Sequence, residues 1–277
     1  MRSAATLMET YSMTTPLTSD ITHRYSSEEW TVRCELAALY RLVAHFRMTD
    51  LIDTHITARV PGPEHHFLIN RYGVLFHEMR ASDLVKIDSN GRVVEPGADD
   101  GNAAHDARYR VNAAGFTIHS AVHMARPDLR FVVHTHTSAG SAVSAQKQGL
   151  LPISQHALKF YGNLSYHDYE GIALDLGERE RLIADLGANN AMILRNHGLL
   201  AGGATVAAAF QEIYFLERAC QIQVHALAGG AELTLPSEDV CRLTASQFRG
   251  DSADGITQLA WESALRLIDG GPSDYRS

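Results

Sequence analysis

Long apolar runs are absent from this 277-residue chain: no stretch approaches the ~20 residues of a membrane-spanning helix. Residues 1–20, MRSAATLMETYSMTTPLTSD, have no apolar core of a secretion signal. Rich in Ser, Thr and Met, residues 1–25 read as a disordered leader, with Met13 as an alternative start, ahead of one domain over 26–277. Cysteine is scarce. Cys34, Cys220 and Cys241 are scattered and form no Cys-x-x-Cys pair, the usage of a reducing cytoplasm and not of a disulfide framework. Positive charge is also short: 24 Lys and Arg against 32 Asp and Glu leave a net charge of −8. Clustered Lys and Arg are what nucleic acid and anionic membranes require, so neither is an expected partner. A small anionic substrate stays compatible, since one arginine or one metal ion can hold it. Internal repeats and long linkers are missing too. Hydrophobic residues at 45% suffice for a large core.

What the chain does have is an interleaving of helical and strand patterns. Apolar residues at helical spacing run through 28–48 (Val32, Leu36, Leu39, Tyr40, Val43), behind acidic Glu28 and Glu29. THITARV (54–60) and HFLIN (66–70) alternate on either side of Pro-Gly-Pro, as in a hairpin. LVKID (84–88) and RVVEP (92–96) flank Ser-Asn-Gly, a second hairpin signal. Residues 96–110 are polar and aperiodic, a surface loop. A helix is predicted over 113–125, stopped by Pro127. The strand RFVVHTHT follows, then a helix with Ser138 as its N-cap that closes at Gly149. A helix over 178–187 precedes the strand AMILR (191–195), an Asn-His-Gly turn and the strand LLAGG. A long helix covers about 204–228, and one or two more lie beyond 237. This alternation predicts an α/β fold, a single αβα sandwich.

Histidine is the outlier, with 15 copies. In FVVHTHT (131–137), His134 and His136 share one face of a strand, because side chains alternate. Their imidazoles stand about 6–7 Å apart at the base, a spacing at which both reach one metal ion. Without an ion the pair costs desolvation that Val or Ile would avoid. Two ligands do not make a tight site. The best third candidate is His197, on the tip of ILRNHGLL, where Gly198 suits a positive φ at the turn.

VVHTHT and ILRNHGLL, with THITARVPG upstream and GFTIHSAVHMARPD between them, resemble the class II aldolase/adducin family over about 28–250. HFLINRYGVLF, YHDYEGIALDL and YFLERACQIQV resemble its bacterial adducin-like branch. The resemblance implies a central, largely antiparallel sheet and metal ligands His134, His136 and His197. It also implies a homotetramer with the site near a subunit interface, into which Tyr161 of KFYG would enter from a neighbour.

The pattern departs in two places. By the resemblance, the family's general acid/base falls on Gly115, which transfers no proton. Its phosphate-binding Gly-Asn falls on Thr54 and His55, where His55 is instead expected to meet a substrate carboxylate. A sugar-phosphate aldolase is therefore disfavoured. Within the branch the chain most resembles the non-haem iron oxygenases of aminocoumarin antibiotic pathways, of the clorobiocin and novobiocin type. That resemblance implies Fe(II), O₂ and an aryl 2-oxo acid (prenylated 4-hydroxyphenylpyruvate), decarboxylated through a mandelate to a benzoate. Such chemistry needs an apolar pocket, for which Phe67, Tyr72, Phe76, Phe116, Phe160 and Tyr161 are candidates. The alternatives are a Zn- or Mn-dependent aldolase or decarboxylase on an unphosphorylated oxo acid, and an adducin-like interaction module. Glu78 is a candidate to replace the acid missing at Gly115. His119 and His123, four apart, are expected to pack beneath the sheet. His65, His66, His105, His167 and His225 are expected at the surface or in loops, Arg195 in an ion pair and Cys220 in the core.

Overall fold

The computed structural model describes residues 24–96, 106–171, 177–253, 255–270 and 274–277. Helix α1 (Ser27–His45) begins where the Ser26 hydroxyl accepts from Glu29 N at 3.1 Å. Its apolar positions are almost fully buried against β1 (His55–Arg59), β2 (Phe67–Asn70) and β3 (Leu84–Ile87). Tyr40 ties this layer together: its hydroxyl lies 2.8 Å from Ile56 N on β1 and 2.9 Å from Asn70 Oδ1 on β2.

Next come α2 (Ala113–Ala125), β4 (Phe131–Thr135), α3 (Ser138–Ser144), α4 (Gln155–Leu158), β5 (Ser165–His167) and α5 (Glu178–Leu186). After them run β6 (Ala191–Leu194), β7 (Gly198–Gly203), α6 (Val206–Ala228), α7 (Glu238–Ala253) and α8 (Ile256–Leu265). The strands form one sheet in the order β3-β2-β1-β4-β7-β6-β5. Neighbours are antiparallel except β5 and β6. Residues from α1, α6 and α8 cover one face, and residues from α2 and α5 cover the other. This is the αβα sandwich that the residue patterns predict, with the largely antiparallel sheet that the family resemblance implies.

Register fixes what meets across β1 and β4. His55 pairs with His134 and Thr57 with Val132, so period-2 alternation puts all four on the α2 side. Ile56 and Val133 take the other face, in the main core.

Several expectations need correction. Tyr25 is no part of a disordered leader: its ring stacks on Trp30 and its hydroxyl donates to Glu95 at 3.0 Å. Glu95 also pairs with the wholly buried Arg33, so Tyr25 is tied to the folded domain. Met13 and the rest of 1–23 lie outside the described residues, as does 97–105 of the predicted loop. RVVEP forms no full strand; Ile87 and Val93 make a single bridge, because Glu95 turns inward to Arg33 and Lys86 N. The N-cap of α3 is Thr137, not Ser138. Its hydroxyl accepts from Gly140 N at 3.1 Å, and the helix ends at Ser144, well before Gly149.

A three-histidine candidate metal centre

β4 delivers His134 at its last turn of pleat and His136 just past its end. His134 Nδ1 donates to Leu199 O on β7 at 2.9 Å, which leaves Nε2 as the bare nitrogen. His136 Nδ1 donates to Asp50 Oδ2 at 3.2 Å, again leaving Nε2 bare. His197 completes the group. The distances His134 Nε2 to His136 Nε2 and His136 Nε2 to His197 Nε2 are both 2.8 Å. Three lone pairs brought together this closely repel unless a cation sits among them. The outward-anchored Nδ1 atoms are the arrangement that metal-binding imidazoles adopt. Among the described residues these three form the group able to hold a metal ion, so the donor set fits the ion. Imidazole suits zinc and iron alike.

The turn bearing His197 is shaped by its neighbours. Asn196, not Gly198, takes the left-handed conformation, with φ of 55°. Gly198 is needed for close packing instead: a Cβ there would lie 2.3 Å from Thr135 O. Two serines of α3 hold the turn. Ser144 Oγ accepts from His197 N at 3.2 Å, and Ser141 Oγ donates to His197 O at 2.9 Å.

Burial and the neighbouring imidazoles keep His134 and His197 neutral. His134 is held well below the usual imidazole range, by burial first and then by His197, His55 and His136. His197 is pushed down to about 4, by burial and then by His136 and His167. A neutral imidazole is the form that binds metal.

The centre lies in a cavity of about 600 Å³ whose walls include Asp50, Asp53, Tyr72, Asn112, Ser141 and Tyr169. His55 lines it too, 3% exposed, its ring 5.3 Å from that of His134. Both His55 nitrogens are buried without a hydrogen-bond partner, and burial pushes this imidazole down to about 3. The ring occupies the space above Gly115: a Cβ there would come within 2.7 Å of His55 Cγ, Cδ2 and Nδ1. The two positions at which a departure from the family pattern is expected, 55 and 115, thus meet in space. His55 fills the volume that a side chain at 115 would need.

Other candidates fall elsewhere. Tyr161 lies on the turn after α4, away from the cavity walls of its own chain. Glu78 is exposed, accepts from Leu75 N and does not reach the cavity, so it does not replace the acid. Of the aromatic set, Tyr72 alone lines the cavity; Phe67, Phe76 and Phe160 are buried in the cores, and Phe116 packs half-buried against the cluster that holds Phe67. Hydrophobic burial claims those rings before the cavity can. His119 and His123 do pack beneath β1, through Thr57. His167 is buried on β5 rather than at the surface, bonded to Asp185 Oδ2 at 2.8 Å. Among the described residues Arg195 makes no ion pair; its guanidinium lies over the Tyr166 ring at 4.3 Å and donates to Gln146 O. His105 lies outside the described residues, His65 and His225 are exposed, His66 is half-buried, and Cys220 is in the core. Asp50, Ser141, Ser144 and Tyr169 escaped the motif reading, since none sits in a spacing that marks it.

Three imidazoles able to hold a metal ion, at the strand ends of an αβα sandwich, sit on a fold of class II aldolase type. The model of the class II aldolase and adducin N-terminal domain matches residues 34–224, and the chain belongs to that family. A Caulobacter vibrioides relative, provisionally named an aldolase class 2 protein, is 49% identical over 252 residues, covering 91% of this chain and 94% of that one. Mouse alpha-adducin is 47% identical over 205 residues, which is 74% of this chain but 27% of that protein. The solved L-fuculose 1-phosphate aldolase of Glaciozyma antarctica is 27% identical, with a TM-score of 0.74, covering 92% of this chain and 94% of that one. Among the described residues no helix is long and apolar enough to cross a membrane.

Proposed function

We propose that the protein is a metal-dependent lyase, an aldolase or decarboxylase acting on an unphosphorylated oxo or hydroxy acid. The observation that carries this reading is the convergence of three imidazole Nε2 atoms, those of His134 and His136 with Nδ1 anchored, in a cavity that His55 lines at the expected phosphate-binding segment. The ion is zinc or manganese, held by His134, His136 and His197. When bound, it supplies a Lewis acid that polarises a substrate carbonyl or carboxylate. Asp50 orients His136, the two α3 serines hold the His197 turn, and His55 meets the substrate in place of a phosphate cradle. A homotetramer that brings a neighbour's Tyr161 over the cavity belongs to the same proposal, as does a cytoplasmic location.

The finer reading is an Fe(II) oxygenase that decarboxylates an aryl 2-oxo acid in antibiotic biosynthesis. The lack of an acid at Gly115 supports it, since O₂ chemistry does not require that proton donor. The lyase stands first because only Tyr72 of the six anticipated aromatics lines the cavity. The relatives of this chain include proteins named as aldolases and adducin. The adducin relative raises a non-enzymatic interaction module, but the kept ligand set weighs against it.

Elemental analysis after anaerobic purification separates the three. Zinc or manganese, with aldehyde, oxo-acid or CO₂ release under argon from a panel of oxo and hydroxy acids, supports the lyase. Iron with O₂ uptake would replace it by the oxygenase. Metal-free protein whose behaviour is unchanged by His134→Ala would leave the interaction module.

A further inference from the structure

Formal charge on the cavity walls is of one sign. Among the described residues Asp50 and Asp53 line the cavity, and no Lys or Arg does. Three arginines stand next to wall residues in sequence, yet none supplies a cation to the walls. Arg71, beside Tyr72, pairs with Asp83 at 2.7 Å. Arg195, beside Asn196, lies over the Tyr166 ring. Arg110, whose carbonyl accepts from Tyr72 N, has an exposed side chain and is not part of the wall. The two carboxylates have different work. Asp50 accepts from His136 Nδ1 at 3.2 Å and so belongs to the candidate metal centre. Asp53 is set on the same turn, its N–H donating to Asp50 O at 2.9 Å. Its Oδ1 accepts from the Tyr72 hydroxyl at 3.4 Å, a long contact, and the residue is otherwise exposed. One neutral donor at that distance leaves the charge on Asp53 nearly uncompensated.

Imidazoles bind a metal in their neutral form, so a divalent ion would keep both positive charges. The two aspartates offset them. The carboxylate of a bound acid adds one negative charge, and a second anionic group on the same molecule would meet carboxylates and no cation. We propose that Asp53 is a specificity-determining residue that rejects a second anionic group on the substrate and favours a cationic one. The cavity then takes a 2-hydroxy or 2-oxo monocarboxylate whose far end is neutral or carries an ammonium group, and it excludes dicarboxylates as well as phosphate esters. Tyr72 acts as a positioning residue, holding the Asp53 carboxylate at the wall. At an effective dielectric of about 20, two unit charges about 10 Å apart change an affinity roughly tenfold, up for opposite signs and down for like signs. Discrimination by repulsion of the wrong ligand is an ordinary route to specificity. The inference rests on the reading of the cavity as the substrate site of a metal-dependent enzyme, and narrows the class of acid that enters it.

Isothermal titration calorimetry on the zinc-loaded full chain at pH 7.5 and low ionic strength tests it. The probes are three five-carbon 2-hydroxy acids that differ at the far end: 5-amino-2-hydroxypentanoate, 2-hydroxypentanoate and 2-hydroxyglutarate. The wild type should bind the amino acid roughly tenfold more tightly than the neutral one, and the neutral one roughly tenfold more tightly than the dicarboxylate. Raising the salt narrows both gaps, because exposed charges are screened. Asp53→Asn weakens the amino probe and strengthens 2-hydroxyglutarate, each by several-fold, with 2-hydroxypentanoate and zinc stoichiometry unmoved. Asp53→Glu keeps the charge and restores the wild-type order, an outcome that a merely structural role for Asp53 would not produce. Equal binding of the three probes, binding of none, tightest binding of 2-hydroxyglutarate, or an order that Asp53→Asn leaves intact overturns the proposal. The expected order in a protein with no turnover under argon retains this inference and removes the lyase reading alone. Turnover under argon without that order does the reverse.

Discussion

Gly115→Ala tests whether His55 really owns the space above the first turn of α2. On an unobstructed helix, alanine in place of glycine gains about 0.8–1.0 kcal/mol. Here the new Cβ would lie 2.7 Å from three ring atoms of His55. Carbon contacts ordinarily relax at about 3.5–4.0 Å, so a ring buried on all sides must move by close to 1 Å. Overpacking of that kind costs about 1–3 kcal/mol. The net change in the wild type is thus a loss of roughly 0–2 kcal/mol. In a His55→Ala background the obstruction is gone, and the same substitution gains up to about 1 kcal/mol. The coupling between the two positions is then about 1–3 kcal/mol, within the range for residues in contact. Urea unfolding of the four metal-free variants, followed by circular dichroism at one protein concentration, measures it. If Gly115→Ala raises stability equally in both backgrounds, His55 does not fill that volume, and the link between the missing acid and the histidine at 55 fails.

Asp50→Ala should weaken metal binding about 10–100-fold, as losses of outer hydrogen-bond partners do, while His197→Ala abolishes stoichiometric metal; titration with a chromophoric chelator reads both. Ser144→Ala leaves His197 N without its side-chain partner and should destabilise the metal-free protein by about 0.5–1.5 kcal/mol, checked by denaturant midpoint. Gly198→Ala forces a Cβ to within 2.3 Å of Thr135 O on the adjoining strand, and should cost stability and metal together, read by thermal unfolding and elemental analysis. The metal-free protein should lose stability as pH falls. His55 and His123 have folded values near 3 against an unfolded value near 6.5, so the unfolded chain binds more protons between them. Their contribution is complete above about pH 6.5 and declines as pH falls toward 3. Denaturant midpoints at pH 7 and 4.5 check this, and a His123→Gln variant should show a shallower decline than the wild type.

Strand periodicity alone puts His134 and His136 on one face, because side chains on a strand alternate with period 2. The strand-turn-strand pattern around His197 made it the third candidate ligand for the same local reason. The helical and strand segments, and from their alternation the αβα layering, follow from patterns that extend over only a few residues. Tertiary structure decided the rest. Asp50 and Ser144 act through contacts that join segments far apart in the chain, and no spacing in the sequence encodes such contacts. Glycine at 198 looks like a turn residue until the β4–β7 pairing brings Thr135 O against its Cα. The aromatic residues near the motifs looked like pocket walls, yet burial in the two cores outcompetes the cavity for most of them. His55 shows the difference most clearly. Sequence made it a polar residue at a lost phosphate position. Only the β1–β4 register, which sets it opposite His134 and under Gly115, made it the side chain that replaces a missing one, because packing volume is shared among residues that the chain brings together and not among those it lists in order.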